Sequence, residues 1–216
     1  MATRIIPPDV QRYCDELKGR LEPSYLQHAD TEPWRQSGAS GPMDRWTSLR
    51  KPIADCIEHD GSVLDLCCAN GFLLECLLRW TGERNVRLTP YGLDISTKLI
   101  DLARRRLPQH ADHLYVGNAF VWQPPVRMDF VSTMADLFPP EHVDDYVRFV
   151  ILHHLKPTGR LLIHHTGARG QAQTELRRWV NLDRFNQVGH HIGHDPVKDH
   201  EVYVAILAPG DSAAGV

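Results

Sequence analysis

The chain has 216 residues, with 24 Lys and Arg against 27 Asp and Glu and a formal charge of −3. That length suits one domain with a sizeable core, and the balanced charge leaves no global field to draw in nucleic acid or a membrane surface. No apolar run approaches the ~20 residues of a membrane-spanning helix, and the start, MATRIIPPDV, lacks the long apolar core of a signal peptide. The cysteines (Cys14, Cys56, Cys67, Cys68, Cys76) are odd in number and mostly sit in apolar patterns, which points to free thiols and a cytoplasmic setting.

In chain order, Pro7-Pro8-Asp9 predicts a helix start with Asp9 as cap and Val10, Tyr13, Cys14, Leu17 and Leu21 as its stripe. A loop over about 28–42, rich in Gly, Ser and Pro, follows and holds Trp34-Arg35-Gln36-Ser37-Gly38. A loop of that length in a compact domain is expected to be a lid or binding element. Residues 44–58 set Trp46, Leu49, Ile53 and Ile57 at helical spacing, with a break or kink expected at Pro52. From Ser62 the pattern alternates. Strands are predicted at 62–66, 90–95, 113–117, 128–134 and 160–165, and helices at 71–80, 97–106, 141–155 and 170–183. Such alternation predicts an α/β fold with a parallel sheet covered on both faces. Ser96 is a good N-cap, and Lys156-Pro157-Thr158-Gly159 reads as a turn. Strands at 187–194 and 201–207 are joined by about six residues containing Asp195-Pro196, too few for a helical crossover, so they are predicted to be antiparallel. The domain reading is a helical cap and lid loop at 1–59, a core at 60–208 and a frayed tail at 209–216.

The stretch Ser62 to Phe72, SVLDLCCANGF, organises the rest. An apolar strand carries Asp65, turns at Cys67-Cys68-Ala69-Asn70-Gly71, and runs into an apolar helix. Strand, small-residue turn and helix bring a ligand close to backbone N–H groups at a helix start. Asp94, 23 residues past Gly71, ends a second strand at a spacing suited to both hydroxyls of a ribose. A dinucleotide site needs glycine at three positions of the turn, and Cys67 and Ala69 fill the first two. Asp65 would sit badly beside a diphosphate and would suit a ligand that carries positive charge.

On these residues the sequence resembles the class I S-adenosylmethionine (SAM)-dependent methyltransferases, small bacterial type. The resemblance covers about residues 60–207 and implies SAM as cofactor. It also implies a three-layer sandwich with a seven-stranded, mostly parallel sheet, the last strand antiparallel, and an N-terminal helical cap across the cofactor mouth. It puts Asp65, Cys67, Ala69, Asn70 and Gly71 near the amino-acid end of SAM, Asp94 and Ile95 at the ribose, Asn118, Ala119 and Phe120 at adenine, and Thr133 near the methyl group. Asn118 stands where the family often has an acid and can accept from the adenine amino group through its amide oxygen.

Asp136, after the fourth strand, is a candidate acid–base group; a solvent-facing loop acid is the alternative. His164 and His165 end the fifth strand on opposite faces and are candidate bases. His153 and His154 are expected to be part-exposed at a helix end. Adjacent cysteines lack the two-residue gap of a zinc knuckle and the paired histidines lack a third ligand, so no metal site is expected. The expected activity is methyl transfer to an O or N nucleophile of a small molecule, by a protein that needs no nucleic acid or membrane and is compatible with a homodimer. The competing readings are a SAM-binding regulatory subunit without turnover, an RNA methyltransferase using Arg104-Arg105-Arg106, and a nicotinamide-dependent dehydrogenase, which the turn residues disfavour.

Overall fold

The structure is a computed structural model that describes residues 4–28, 31–35 and 41–210. Gln36-Ser37-Gly38 of the expected lid loop and most of the expected tail lie outside the described residues. Two helices, α1 (Pro8–Gln27) and α2 (Met43–Asp55), precede the first strand. Then come β1 (Gly61–Leu66), α3 (Phe72–Gly82), β2 (Leu88–Asp94), α4 (Thr97–Arg106), β3 (Leu114–Val116) and β4 (Met128–Met134). The chain continues through α5 (Pro140–His154), β5 (Leu155–Ala168), α6 (Ala172–Trp179), β6 (Asn186–His194) and β7 (His200–Ala208). The seven strands form one sheet in the order β3-β2-β1-β4-β5-β7-β6. The strands from β3 across to β5 pair in parallel, and β7 runs antiparallel to both β5 and β6.

Period-two alternation along the strands builds two cores. Val63, Phe130, Leu162, Val202 and Val204 face α2, α3 and α4, whereas Leu64, Val131, Leu161, Ile163, Tyr203 and Ala205 face α1, α5 and α6. Both faces are apolar, which is why the central strands read as near-continuous hydrophobic runs. No helix among the described residues is long and apolar enough to cross a membrane.

Four local expectations differ from the structure. Asp9 lies in the first turn of α1 and Pro7 takes the cap position, because Pro8 at the start needs no N–H partner. The turn at 156–159 is a register shift inside one long β5, between the pairs Met128↔Leu155 and Phe130↔Arg160. His154 is fully buried, with its ring beside Trp122 and Phe149, and desolvation pushes its pKa down to about 3. Finally, α2 runs through Pro52 to Asp55.

Pro52 has no N–H to give to Ser48 O, and β6 crosses the helix at that point. A Cβ on Gly193 would come within 2.3 Å of Ser48 O and 2.4 Å of Pro52 Cγ. Gly193→Ala should therefore destabilise the fold by about 1–3 kcal/mol through overpacking, read in urea denaturation; an unchanged midpoint would show that the α2–β6 contact yields freely.

Candidate functional site

The C-terminal ends of β1, β2, β3, β4 and β5 converge on a cavity of about 460 Å³, roofed by α1 and α2. This falls within the ~300–1,000 Å³ usual for small-molecule sites. The turn after β1 forms one wall. Cys67, Ala69 and Gly71 all have positive φ (67°, 47° and 73°), the conformation that glycine adopts most readily. The turn is pinned from four sides. Cys68 N donates to Leu93 O at 2.9 Å, Ala69 N to Asp94 Oδ2 at 2.9 Å, Arg106 Nε to Asn70 O at 3.1 Å, and Asn70 Nδ2 to Pro33 O at 3.3 Å.

Two of those three turn residues carry a Cβ in a backbone region costing about 1–2 kcal/mol for an L-residue. Ala69→Gly should thus leave thermal stability unchanged or raise it by up to about 1 kcal/mol, after the ~0.4–1 kcal/mol entropic cost of a new glycine. A melting point several degrees lower would count against strain in this turn.

Asp94 closes the second wall. Its Oδ1 accepts from Ser96 N at 2.8 Å and its Oδ2 from Ala69 N, so one carboxylate ties the β1 turn to the start of α4. Ser96 caps α4 through Leu99 N at 3.2 Å and also donates to Glu22 Oε2 at 2.5 Å. Glu22 is further paired with Lys98 Nζ at 3.0 Å, which fastens α1 over the cavity. Asp65, beside it on β1, is 5 % exposed and lines the same cavity.

Burial raises both acids. Desolvation takes Asp65 to about 7, opposed by the Arg50 guanidinium and reinforced by Asp94, and takes Asp94 to about 6 against its two backbone N–H donors. Two desolvated carboxylates facing one hollow favour a guest that brings positive charge and hydroxyl donors. That chemistry fits a sulfonium nucleoside: Asp65 would hold the amino-acid ammonium and Asp94 the ribose hydroxyls.

Of the residues expected at the cofactor, Asp65, Cys67, Ala69, Asn70, Asp94, Ile95, Asn118 and Ala119 line the cavity. Three do not. Gly71 packs against α4, where a Cβ would sit 3.0 Å from Ala103 Cβ. Phe120 is in the core, edge-on to Phe138 and under the Arg4 guanidinium at 4.1 Å. Thr133 shares a hydrogen bond with Tyr146 Oη at 2.9 Å, its side chain turned into the core. Asn118 lines the cavity, but its amide oxygen already accepts from Phe120 N at 2.9 Å.

Asp136 and His164 line the cavity opposite the Asp94 wall; His165 does not. The His165 ring faces α6, 3.5 Å from Glu175 and near Trp179, because neighbours on a strand point to opposite faces. His164 is 2 % exposed, its Nδ1 has no partner among the described residues, and desolvation with the nearby Arg50 holds it well below its usual pKa and so neutral. Burial, then Asp94 and Asp65, drives the Cys67 and Cys68 thiols well above the usual range, so neither is a thiolate. The one group of three ligand-type side chains found among the described residues, Asp9, Glu141 and His142, lies outside this cavity.

Arg50, Glu22 and Tyr25 also line the cavity and were missed by the sequence reading; so do Trp34, from the loop expected to be a lid or binding element, and Trp46, from the helix expected at 44–58. Arg50 left a signal: it stands four residues after Trp46, a cation inside the apolar stripe of α2.

No family model matches the chain, and no curated protein matches it. Solved structures do. A magnesium protoporphyrin IX methyltransferase from Synechocystis, with bound SAM, is 15% identical and aligns over 90% of this chain and 96% of its own, with a TM-score of 0.56. A SAM-dependent methyltransferase from Thiobacillus denitrificans, in complex with S-adenosylhomocysteine, is 14% identical over 86% of this chain and 98% of its own, at a TM-score of 0.54. The (4+2)-cyclase SpnF is 13% identical over 94% of this chain and 98% of its own, at 0.62. Strand order, the reversed β7 and these alignments together show that the chain has the fold of the class I SAM-dependent methyltransferases.

Proposed function

We propose that the protein is a SAM-dependent methyltransferase acting on an O or N nucleophile of a small molecule in the cytoplasm. The observation that carries this reading is the pair of buried carboxylates, Asp65 and Asp94, at adjacent strand ends of one cavity. When bound, SAM would supply a methyl group activated by its sulfonium. The side chains bind and align. Asp94 would accept from the ribose hydroxyls, and Asp65 would balance the ammonium. Residues 1–59 would act as the cap, since α1 and α2 roof the cavity and Glu22 and Asn70 tie that roof to the walls.

Alignment of donor and acceptor supplies most of the rate in such a displacement, up to roughly 7–11 kcal/mol. A base adds about 10²–10⁴. His164 and Asp136 are the candidates because they line the cavity; His165, on the α6 face, leaves the catalytic set.

Incubation of the purified protein with methyl-labelled SAM and fractionated cell extract tests this. Label transferred to a small molecule with matching S-adenosylhomocysteine supports it. SAM binding with no S-adenosylhomocysteine in any fraction would favour the regulatory-subunit reading, and label recovered in RNA would replace the substrate class.

A further inference from the structure

Arg45 and Arg50, both on α2, are buried arginines that line the cavity, and they differ in how their charge is met. Arg45 is engaged: its Nε pairs with Asp195 Oδ2 at 2.5 Å, and Asp195 in turn accepts from Val197 N and Lys198 N. Arg50 is 7 % exposed, and among the described residues its side chain makes one hydrogen bond, from Nη1 to Leu49 O at a long 3.3 Å. It has no ion pair within 4.0 Å among the described residues. Its side chain lines the cavity.

A guanidinium taken out of water without a close carboxylate costs several kcal/mol, and that cost is offset only by a partner with good geometry. Burial is the largest influence on Arg50; Tyr25, then Asp65 and Asp136, favour its charge through space, while Arg45 opposes it. Next to it stands the neutral His164, and Trp34 contributes an indole N–H that is occluded and lacks a partner among the described residues. The arrangement leaves a planar donor fork facing an enclosed space. That fork matches a carboxylate, two N–H donors to two oxygens, better than it matches any neutral group.

We propose that Arg50 is a carboxylate anchor in this cavity. The inference rests on the methyltransferase reading only for the identity of the two possible carriers: the small-molecule substrate, or the amino-acid end of the cofactor, whose ammonium Asp65 would hold alongside.

Calorimetry on the full chain, comparing the wild type with Arg50→Met and Arg50→Lys, separates the carriers. If the cofactor is the carrier, Arg50→Met weakens SAM at least tenfold and leaves decarboxylated SAM unchanged; Arg50→Lys falls between, having charge without the fork. If the substrate is the carrier, SAM affinity is unchanged in both variants. Benzoate followed by ligand-observed NMR then binds the wild type and not Arg50→Met, with benzamide as the uncharged control binding neither more nor less. The melting point of ligand-free Arg50→Met should not fall, since an unpaired buried cation has been removed; a purely structural arginine would cost stability. SAM and benzoate binding that are the same in wild type and both variants would overturn the anchor. Failure of SAM to bind even the wild type would instead count against the methyltransferase reading, and benzoate would still decide the role of Arg50.

Discussion

Asp94→Ala should lose both the cofactor and part of the fold. Its carboxylate is the acceptor for Ala69 N and Ser96 N, so truncation strands two backbone donors in a site where Asp94 itself is 7 % exposed. Each stranded donor costs about 1–3 kcal/mol. Loss of the hydroxyl contacts, charge-assisted bonds of about 1.5–3 kcal/mol each, should weaken SAM by an order of magnitude or more. Asp94→Asn separates the two effects: it retains one acceptor oxygen, so the stability loss shrinks while the affinity loss persists. Calorimetry with SAM and chemical denaturation on both variants give the result, and Asp94→Asn with wild-type SAM affinity would end the ribose assignment.

The second large effect is on pH. The folded protein holds Asp65 at about 7 and Asp94 at about 6, chiefly by desolvation, against an ordinary carboxyl value of 3.8. The sign follows from the direction. Between about pH 4 and pH 7 the folded chain keeps protons that the unfolded chain has released, so the stability of the ligand-free protein falls as pH rises through that window. A cationic nucleoside reverses the preference, because it favours the ionised forms. SAM affinity should therefore rise as pH increases from 5.5 to 8, approaching about tenfold per unit below pH 7, since one pKa unit is worth 1.36 kcal/mol. The groups facing Asp65 that set this value are Arg50, Asp94 and Ser132. Asp65→Asn should flatten the profile, and 5′-methylthioadenosine, which lacks both positive charges, should show little of it. A SAM affinity independent of pH in the wild type would mean that Asp65 does not face the cation.

Much of this was legible in the residues. β4 falls at Met128–Met134 as the alternation predicts, and α4 at Thr97–Arg106 follows from the Ser96 cap. The opposite faces of His164 and His165 follow from the two-residue period of a strand. Asp65 and Asp94 could be paired in advance because each ends an apolar strand, and adjacent parallel strands bring such ends to one edge. Errors cluster where a side chain had a choice of sides. Phe120, in the turn after β3, and Thr133, near the end of β4, lie close to the strand ends as expected, yet their side chains fill the core against Phe138 and Tyr146.

The local pattern of apolar, small and acidic residues settled the alternating fold, the turn after β1 and the two carboxylates, because hydrophobic period and turn chemistry act over a few residues at a time. The chain's path in three dimensions decided the rest. It brought Arg50 from a helix before the sheet to face Asp65, His164 and Asp136, placed Glu22 on Ser96, and enclosed enough space that burial moves two carboxyl groups toward neutrality. Desolvation and through-space charge depend on what surrounds a group on every side, and those surroundings come from residues far apart in the sequence.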